Sequence, residues 1–237
     1  MDFKDLTNMK QLKRLLIIPA RGGSKRIKNK NIKKFKNKPI IYYTIENAKS
    51  SRLFDKIHVS TDSKKISKIV RKKNIKIEFM RPKSLSGGTI PLFEVYKFVV
   101  RKFENLGYKF DEIWSIMPCS PNLDKQDLIK ISKFYNKLKI KVPVLSVSRF
   151  KVPVQWAFKM KKSKKLIPHN KSHQLKRSQD VTASYFDAGQ FCIYPGTKFK
   201  KLNFISKNYF YKGYELPIKK SIDIDDIEDW KLAEKLY

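Results

Sequence analysis

The residues best suited to chemistry lie near the two ends of the chain. Close to the start, Ala20-Arg21-Gly22-Gly23-Ser24-Lys25-Arg26 runs on to Lys30-Asn31. Paired glycines let backbone N–H groups approach an anion with no Cβ in the way, and Arg and Lys supply countercharge. Nine cations and no acid fall between Arg21 and Lys38, which suits a polyphosphate; a glycine turn flanked by solvated lysines fits the spacing equally. The string is neither GxxxxGK followed by Ser or Thr nor GxGxxG, which disfavours a P-loop ATPase and a Rossmann dinucleotide site. Near the other end, residues 221–237 hold six acids against two bases. Asp223 and Asp225, two apart, would share one face of an extended strand and suit a hard divalent cation such as Mg²⁺, with waters and phosphate completing the octahedron. Acids are also favoured at a helix N-terminus, the reading that fits Asp226, Glu228 and Asp229.

Other reactive types are scarce. Cys119 and Cys192 form no CxxC pair, so neither a zinc site nor a disulfide framework is expected, and Cys119 is read as packing. His58 falls inside a strand, and His169 and His173 sit in a basic segment, so no histidine stands out as a base.

Loops that carry such residues need elements to aim them, and the hydrophobic period supplies these. Arg14–Ala20 reads as a strand buried on both faces, followed by a helix from Pro39 to Ser51. The alternation continues: strand Lys56–Thr61, helix Ser63–Lys73, strand Ile75–Phe79, helix Pro91–Leu106, strand Glu112–Met117, helix Lys125–Leu138, strand Val142–Val147. Asp62 is read as the N-cap of the second helix. The period breaks after Ser148, with a hairpin expected around Trp156-Ala157-Phe158, and resumes with strands Gln190–Tyr194 and Ile222–Ile224. A closing helix places Trp230, Ala233 and Tyr237 on one face. The expectation is a single α/β domain over 1–237, with a mostly parallel Rossmann-like sheet covered by helices on both faces and an insertion at about 152–187.

A hydrophobic content of 41% allows a real core, whereas a net charge of +33 exceeds what solubility needs and admits nucleic acid, acidic membranes or polyanionic substrates as partners. Only nine of the 54 basic residues are Arg, although base readout and bidentate phosphate clamps draw on Arg. The run Leu15–Ile18 is too short to span a bilayer and no cleavage pattern precedes it, so a cytoplasmic, unprocessed protein is expected.

The string IIPARGGSKRIKNKNIKKFKNKPIIYYTI resembles the opening of the CMP-sugar-acid cytidylyltransferases, which activate nine-carbon and related 2-keto sugar acids with CTP. The resemblance implies that Ala20, Arg21, Gly22, Gly23, Ser24, Lys25, Lys30 and Asn31 hold the nucleotide, with Arg21 and Lys25 catalytic. It implies the same fold, places Arg81 of MRPKSL near the cytosine, and assigns Asp223 and Asp225 to a catalytic Mg²⁺. Two departures stand out. The turn Ser86-Gly87-Gly88-Thr89 is shorter and less acidic than relatives have, and Met117 of MPCSPNL stands where sialic acid synthetases tend to carry Gln. The strings PVQWAFK, RSQD and YFDAGQF look like the branch that uses pseudaminic acid. By that likeness Arg177 would take the sugar carboxylate, and Ser120, Gln155, Asp187 and Gln190 would serve the rest of the sugar. Legionaminic and N-acetylneuraminic acids are the alternative substrates, and a homodimer is expected from the family.

Two readings from other classes compete. A nucleic-acid binder should interleave aromatic and Arg side chains on a basic face, but Lys159–Arg177, with eight cations, has only aliphatic and polar neighbours and two His. A glycosyltransferase also uses an Asp-x-Asp element, usually in mid-chain rather than close to the C-terminus.

Overall fold

Leu15, Leu16, Ile17 and Ile18 are wholly buried, as a strand covered on both faces requires. In the computed structural model, which describes residues 12–202, 206 and 209–237, they form the strand β1 (Arg14–Pro19). The elements that follow are β2 (Lys34–Phe35), β3 (Lys38–Pro39), α1 (Ile40–Ser51), β4 (Lys56–Ser60), α2 (Lys64–Arg71), α3 (Leu92–Asn105), β5 (Glu112–Ile116), α4 (Lys125–Lys137), β6 (Val144–Arg149), β7 (Phe158–Met160), β8 (Leu166–Pro168), β9 (Tyr185–Pro195), β10 (Lys212–Glu215) and α5 (Ile227–Leu236).

Six strands make the main sheet in the order β10-β6-β9-β5-β1-β4. β1 is parallel to β4 and β5, and β10 is parallel to β6, whereas β9 runs antiparallel to both its neighbours. The sheet is therefore mostly parallel with one inverted strand, as the alternating pattern implies. One core packs Leu16, Ile18, Trp114 and Ile116 of the sheet with apolar residues of α1, α2 and α4. The other face of β1, through Leu15 and Ile17, meets Val95, Val99 and Phe103 of α3.

Three expectations need correction. Ile75–Phe79 forms no ladder. Ile75 and Ile77 are buried, but among the described residues the backbone bonds of this stretch lie at its ends, Ile75 N to Val70 O and Arg81 N to Thr61 O. Alternation reports one covered face, which packing beside the edge strand β4 satisfies without pairing. Ile222–Ile224 also lacks a strand partner, because side chains take its carbonyls: Gln190 Nε2 donates to Ile222 O and Lys30 Nζ to Ile224 O. The short edge strand β10 was not expected; Gly213 and two charged residues mask its pattern.

Residues 150–184, between β6 and β9, hold the small hairpin β7–β8, in which Lys159 pairs with Ile167. It begins two residues later than the sequence suggests. Phe158, Met160 and Leu166 on it are 48%, 63% and 54% exposed.

His58, on β4, is almost fully buried. It stacks on Phe79 with ring centroids 4.4 Å apart and meets Phe103 edge-on, and its Nδ1 lies 3.4 Å from Glu78 Oε2. Burial holds His58 below its usual pKa of 6.5, against the pull of Glu78, while Glu78, despite its own burial, is held down to about 2 by His58 and Lys56. The unfolded chain thus takes up a proton at His58 that the folded chain refuses, so stability falls as pH drops through and below 6.5. Between pH 7.5 and 5.5 the urea unfolding free energy should fall more in the wild type than in His58→Phe; equal losses would show that His58 is not the proton acceptor.

Candidate active site

The basic loop starts where β1 ends. Ala20 N donates to Ser60 O at 2.9 Å, extending the β1–β4 ladder by one bond before the chain turns. Gly22 N then donates to Asp62 Oδ1 at 2.8 Å, and a Cβ on Gly22 would lie 3.0 Å from Ser63 Cβ, so glycine is required by close approach. Gly23 faces open space. Asn31, buried, donates from Nδ2 to Arg21 O at 3.0 Å and fixes the far end of the loop against its beginning. Asp62 is accordingly not the N-cap of α2. Ser63 is, accepting from Ile66 N, and Asp62 instead holds the glycine turn.

Arg81 lies under the same opening. It is 5% exposed, with Nη2 donating to Ser60 O at 2.7 Å and Nε to Ser60 Oγ at 3.1 Å. Burial brings its pKa down to about 10, so it stays charged at neutral pH.

The acidic segment arrives from the other end of the chain. Asp226 caps α5, accepting from Glu228 N and Asp229 N, and Asp229 Oδ2 accepts from Asp225 N and Asp226 N. These acids are therefore the helix-terminal group that their position implies. Ile224 is buried with Ile27, Phe35, Cys119 and Trp230, and the residues on either side of it, Asp223 and Asp225, line one cleft. Asp225 is bound by two cations: Arg26 Nη2 lies 2.8 Å from Oδ2 and Lys30 Nζ 3.2 Å from Oδ1. Partial burial opposes ionisation, but these bonds hold Asp225 below the usual carboxylate range. Desolvation and then the neighbouring Asp225 push Asp223 above it. Gly189 (φ +62°) makes room for this carboxylate, since a Cβ there would come within 3.2 Å of Asp223 Oδ2.

The cleft encloses about 600 Å³. Of the residues singled out from the sequence, Arg21, Ser24, Lys25, Lys30, Asn31, Arg81, Gln190, Asp223 and Asp225 line it. Ala20, Gly22 and Gly23 are not among its lining residues. Gln190 also uses its Nε2 to hold Ala188 O and Ile222 O, anchoring the acidic segment to β9. Four sugar candidates do not line the cleft. Ser120 is buried with no partner for its Oγ among the described residues, and Asp187 accepts from Gly189 N on the surface. Gln155 donates to Thr182 O, and Arg177 is exposed and paired with Asp180 at 2.9 Å.

Sequence reasoning gave Arg26 no individual role, read Asp62 as an N-cap, and missed the role of Gly189. The uncharged turn does reach the cleft: Gly87, Gly88 and Thr89 line it, and a Cβ on Gly88 would sit 3.4 Å from Arg21 Nη1. Met117 and Cys119 also line it; burial pushes the Cys119 thiol up to about 12, and it donates to Asn31 Oδ1, so it packs rather than attacks. Asp62 lies two residues past β4, where open α/β sheets place ligand loops, but its place before a helix favours the commoner N-cap reading.

A family model described as cytidylyltransferase matches residues 15–222. The chain is 34% identical over 229 residues to the pseudaminic acid cytidylyltransferase of Campylobacter jejuni, covering 95% of this chain and 97% of that one. It is 30% identical over 227 residues to the CMP-N,N'-diacetyllegionaminic acid synthase of Legionella pneumophila, covering 94% and 95%. A solved CMP:2-keto-3-deoxy-manno-octonic acid synthetase complexed with CTP shares the fold, with a TM-score of 0.66 at 15% identity over 94% of this chain and 98% of that one. No helix among the described residues is long and apolar enough to cross a membrane. The chain is a nucleotidyltransferase and belongs to the cytidylyltransferase family.

Proposed function

We propose that the protein transfers the cytidylyl group of CTP to pseudaminic acid, a nine-carbon 2-keto sugar acid, giving the CMP-sugar and pyrophosphate. The observation that carries this reading is the meeting of the Arg21–Asn31 loop and the Asp223/Asp225 pair across one cleft. The choice of sugar rests on the identity to the Campylobacter enzyme over nearly the whole of both chains.

Bound CTP carries about four negative charges, which must be offset before an oxygen nucleophile can approach. Arg21, Lys25 and Lys30 line the wall suited to the triphosphate, and the buried Arg81 lies under the same opening. The anomeric hydroxyl of the sugar acid attacks the α-phosphorus; the new O–P bond forms as the bond to the β-phosphate oxygen breaks. Arg21 and Lys25 stabilise the charge that moves onto pyrophosphate. In this reading the hydroxyl proton leaves to solvent; among the described residues no histidine lines the cleft.

Asp223 and Asp225 fit a divalent cation. Their oxygens are hard donors, and the upward shift at Asp223 comes first from desolvation and then from the Asp225 charge, both of which a bound cation would offset. Among the described residues no third His, Cys, Asp or Glu joins them, which suits Mg²⁺, an ion that keeps waters and phosphate oxygens in its shell. When bound, Mg²⁺ supplies charge neutralisation at the α-phosphate. Gln155 and Arg177 lie outside the cleft of their own chain on an exposed, partly apolar segment. A homodimer that carries this segment over the partner's cleft reconciles their placement with sugar binding.

Pyrophosphate release from CTP and Mg²⁺ should be fastest with pseudaminic acid when legionaminic and N-acetylneuraminic acids are offered in parallel; turnover with none of the three would sink the reading. Asp225→Asn should lower turnover by about three orders of magnitude without moving the melting temperature, and unchanged turnover would remove the metal assignment. Asp62→Ala frees the Gly22 amide and should raise KM for CTP about tenfold with a smaller effect on kcat; an unaltered KM would show that the turn holds itself. Light scattering should give twice the chain mass, and a monomer mass in the active preparation would exclude the dimer.

A further inference from the structure

Arg26 belongs to the basic loop, yet the mechanism above gives it no role. Its Nη2 sits 2.8 Å from Asp225 Oδ2, while Lys30 Nζ holds Oδ1 at 3.2 Å. Both oxygens of that carboxylate therefore face a protein cation. A guanidinium at hydrogen-bond distance takes up one of the Oδ2 lone pairs and sets its positive charge against an incoming divalent ion, so the two compete for Asp225.

The two cations differ in how firmly they are held. Lys30 is 21% exposed at its side chain and donates also to Ile224 O, so two acceptors fix it. Arg26 is 63% exposed, has Asp225 as its sole ion-pair partner among the described residues, and lines the cleft beside Arg21, Ser24 and Lys25. It is the movable partner, and it stands next to the wall that would receive the triphosphate. An exposed ion pair is weak, so a polyanion with about four charges can readily draw the guanidinium away.

We propose that Arg26 is a positioning residue that acts as an internal counter-ion. In the free enzyme it covers Asp225 Oδ2 and weakens cation binding; when a nucleoside triphosphate enters, it swings to the phosphates and uncovers Asp225, so the divalent cation loads with or after the nucleotide. The inference rests on the reading of Asp223 and Asp225 as the metal pair. It assigns to the loop a second role beyond countercharge, which is to couple the two substrate-side components through a shared side chain.

The test uses the full chain without nucleotide and Mn²⁺ alone as probe, followed by the spectrum of the free ion in magnetic resonance. Arg26→Ala and Arg26→Gln should bind Mn²⁺ about three- to five-fold more tightly than the wild type, and Asp225→Asn should lose the site. In a second arm, CTP is titrated calorimetrically in EDTA, where both Arg26 variants should bind CTP about three- to five-fold more weakly. Arg26 is exposed, so both variants should keep the wild-type melting temperature. Mn²⁺ binding that is unchanged or weaker in both Arg26 variants, while Asp225→Asn still loses it, would overturn the counter-ion role and leave the metal pair standing. Equal CTP binding in EDTA would overturn the handover. Mn²⁺ binding that survives Asp225→Asn would overturn the metal pair and this inference together.

Discussion

The site depends on one buried side chain in a stretch with no ladder of its own. Ile224, 1% exposed, is packed among Ile27 from the basic loop, Phe35 from β2, Cys119 and Trp230 from α5. Burying such a side chain is worth about 1.5–3 kcal/mol, enough to fix one local arrangement of the chain. With Ile224 turned inward, Asp223 and Asp225 both present their carboxylates to the cleft. The same small cluster joins residues almost two hundred positions apart, so loop and acidic segment keep their spacing only while that cluster is packed. Phe35 and Trp230 meet edge-on at 5.5 Å, and Phe35 and Tyr43 each meet Tyr237 in the same way, which seats the last helix against the start of the fold.

Polar bonds then sharpen what the apolar cluster sets. Gln190 ties Ile222 to β9, Lys30 ties Ile224 to the basic loop, and Asp229 ties the backbone of Asp225 and Asp226 to α5. Each satisfies a backbone group that a β-ladder would otherwise have to pair. The segment is therefore held by three different elements, and no fourth strand edge has to be accommodated beside the cleft. This explains why a stretch with strand-like alternation is not a strand, and why its carboxylates still share a side.

How much of this was legible follows from what each signal reports. The order of β1, α1, β4, α2, α3, β5, α4 and β6 came through because each buries one or two faces, and burial writes a period into the sequence. The loop from Arg21 to Asn31 came through because glycines and cations are unusual together after a buried strand. Asp62 did not, because an acid preceding a helix has a commonplace explanation and only the fold shows its carboxylate on Gly22 N. Ile75–Phe79 misled because packing against an edge imitates pairing. Gln155 and Arg177 were named on likeness alone, and no local pattern says which cleft a side chain on an excursion from the sheet will reach.

The inverted strand β9 is what anchors the acidic segment, which itself follows the carboxyl end of the parallel strand β10. In a wholly parallel sheet every strand would deliver its carboxyl end to the ligand side, and the cleft would be walled by loops leaving the sheet. β9 instead enters from that side, and its register against β6 shifts between Leu145 and Val147. The extra residues of β9 include the buried Ala188 and Gln190, with Ser146 Oγ accepting from both Gln190 N and Phe191 N, and Gly189 at positive φ. Gly189 leaves the space Asp223 fills, and Gln190 holds Ile222 beside it. A net charge of +33 would by itself drive any anion to this protein; the bulge fixes two of its few acids in the midst of the cations, and so turns a general attraction into a site with two poles.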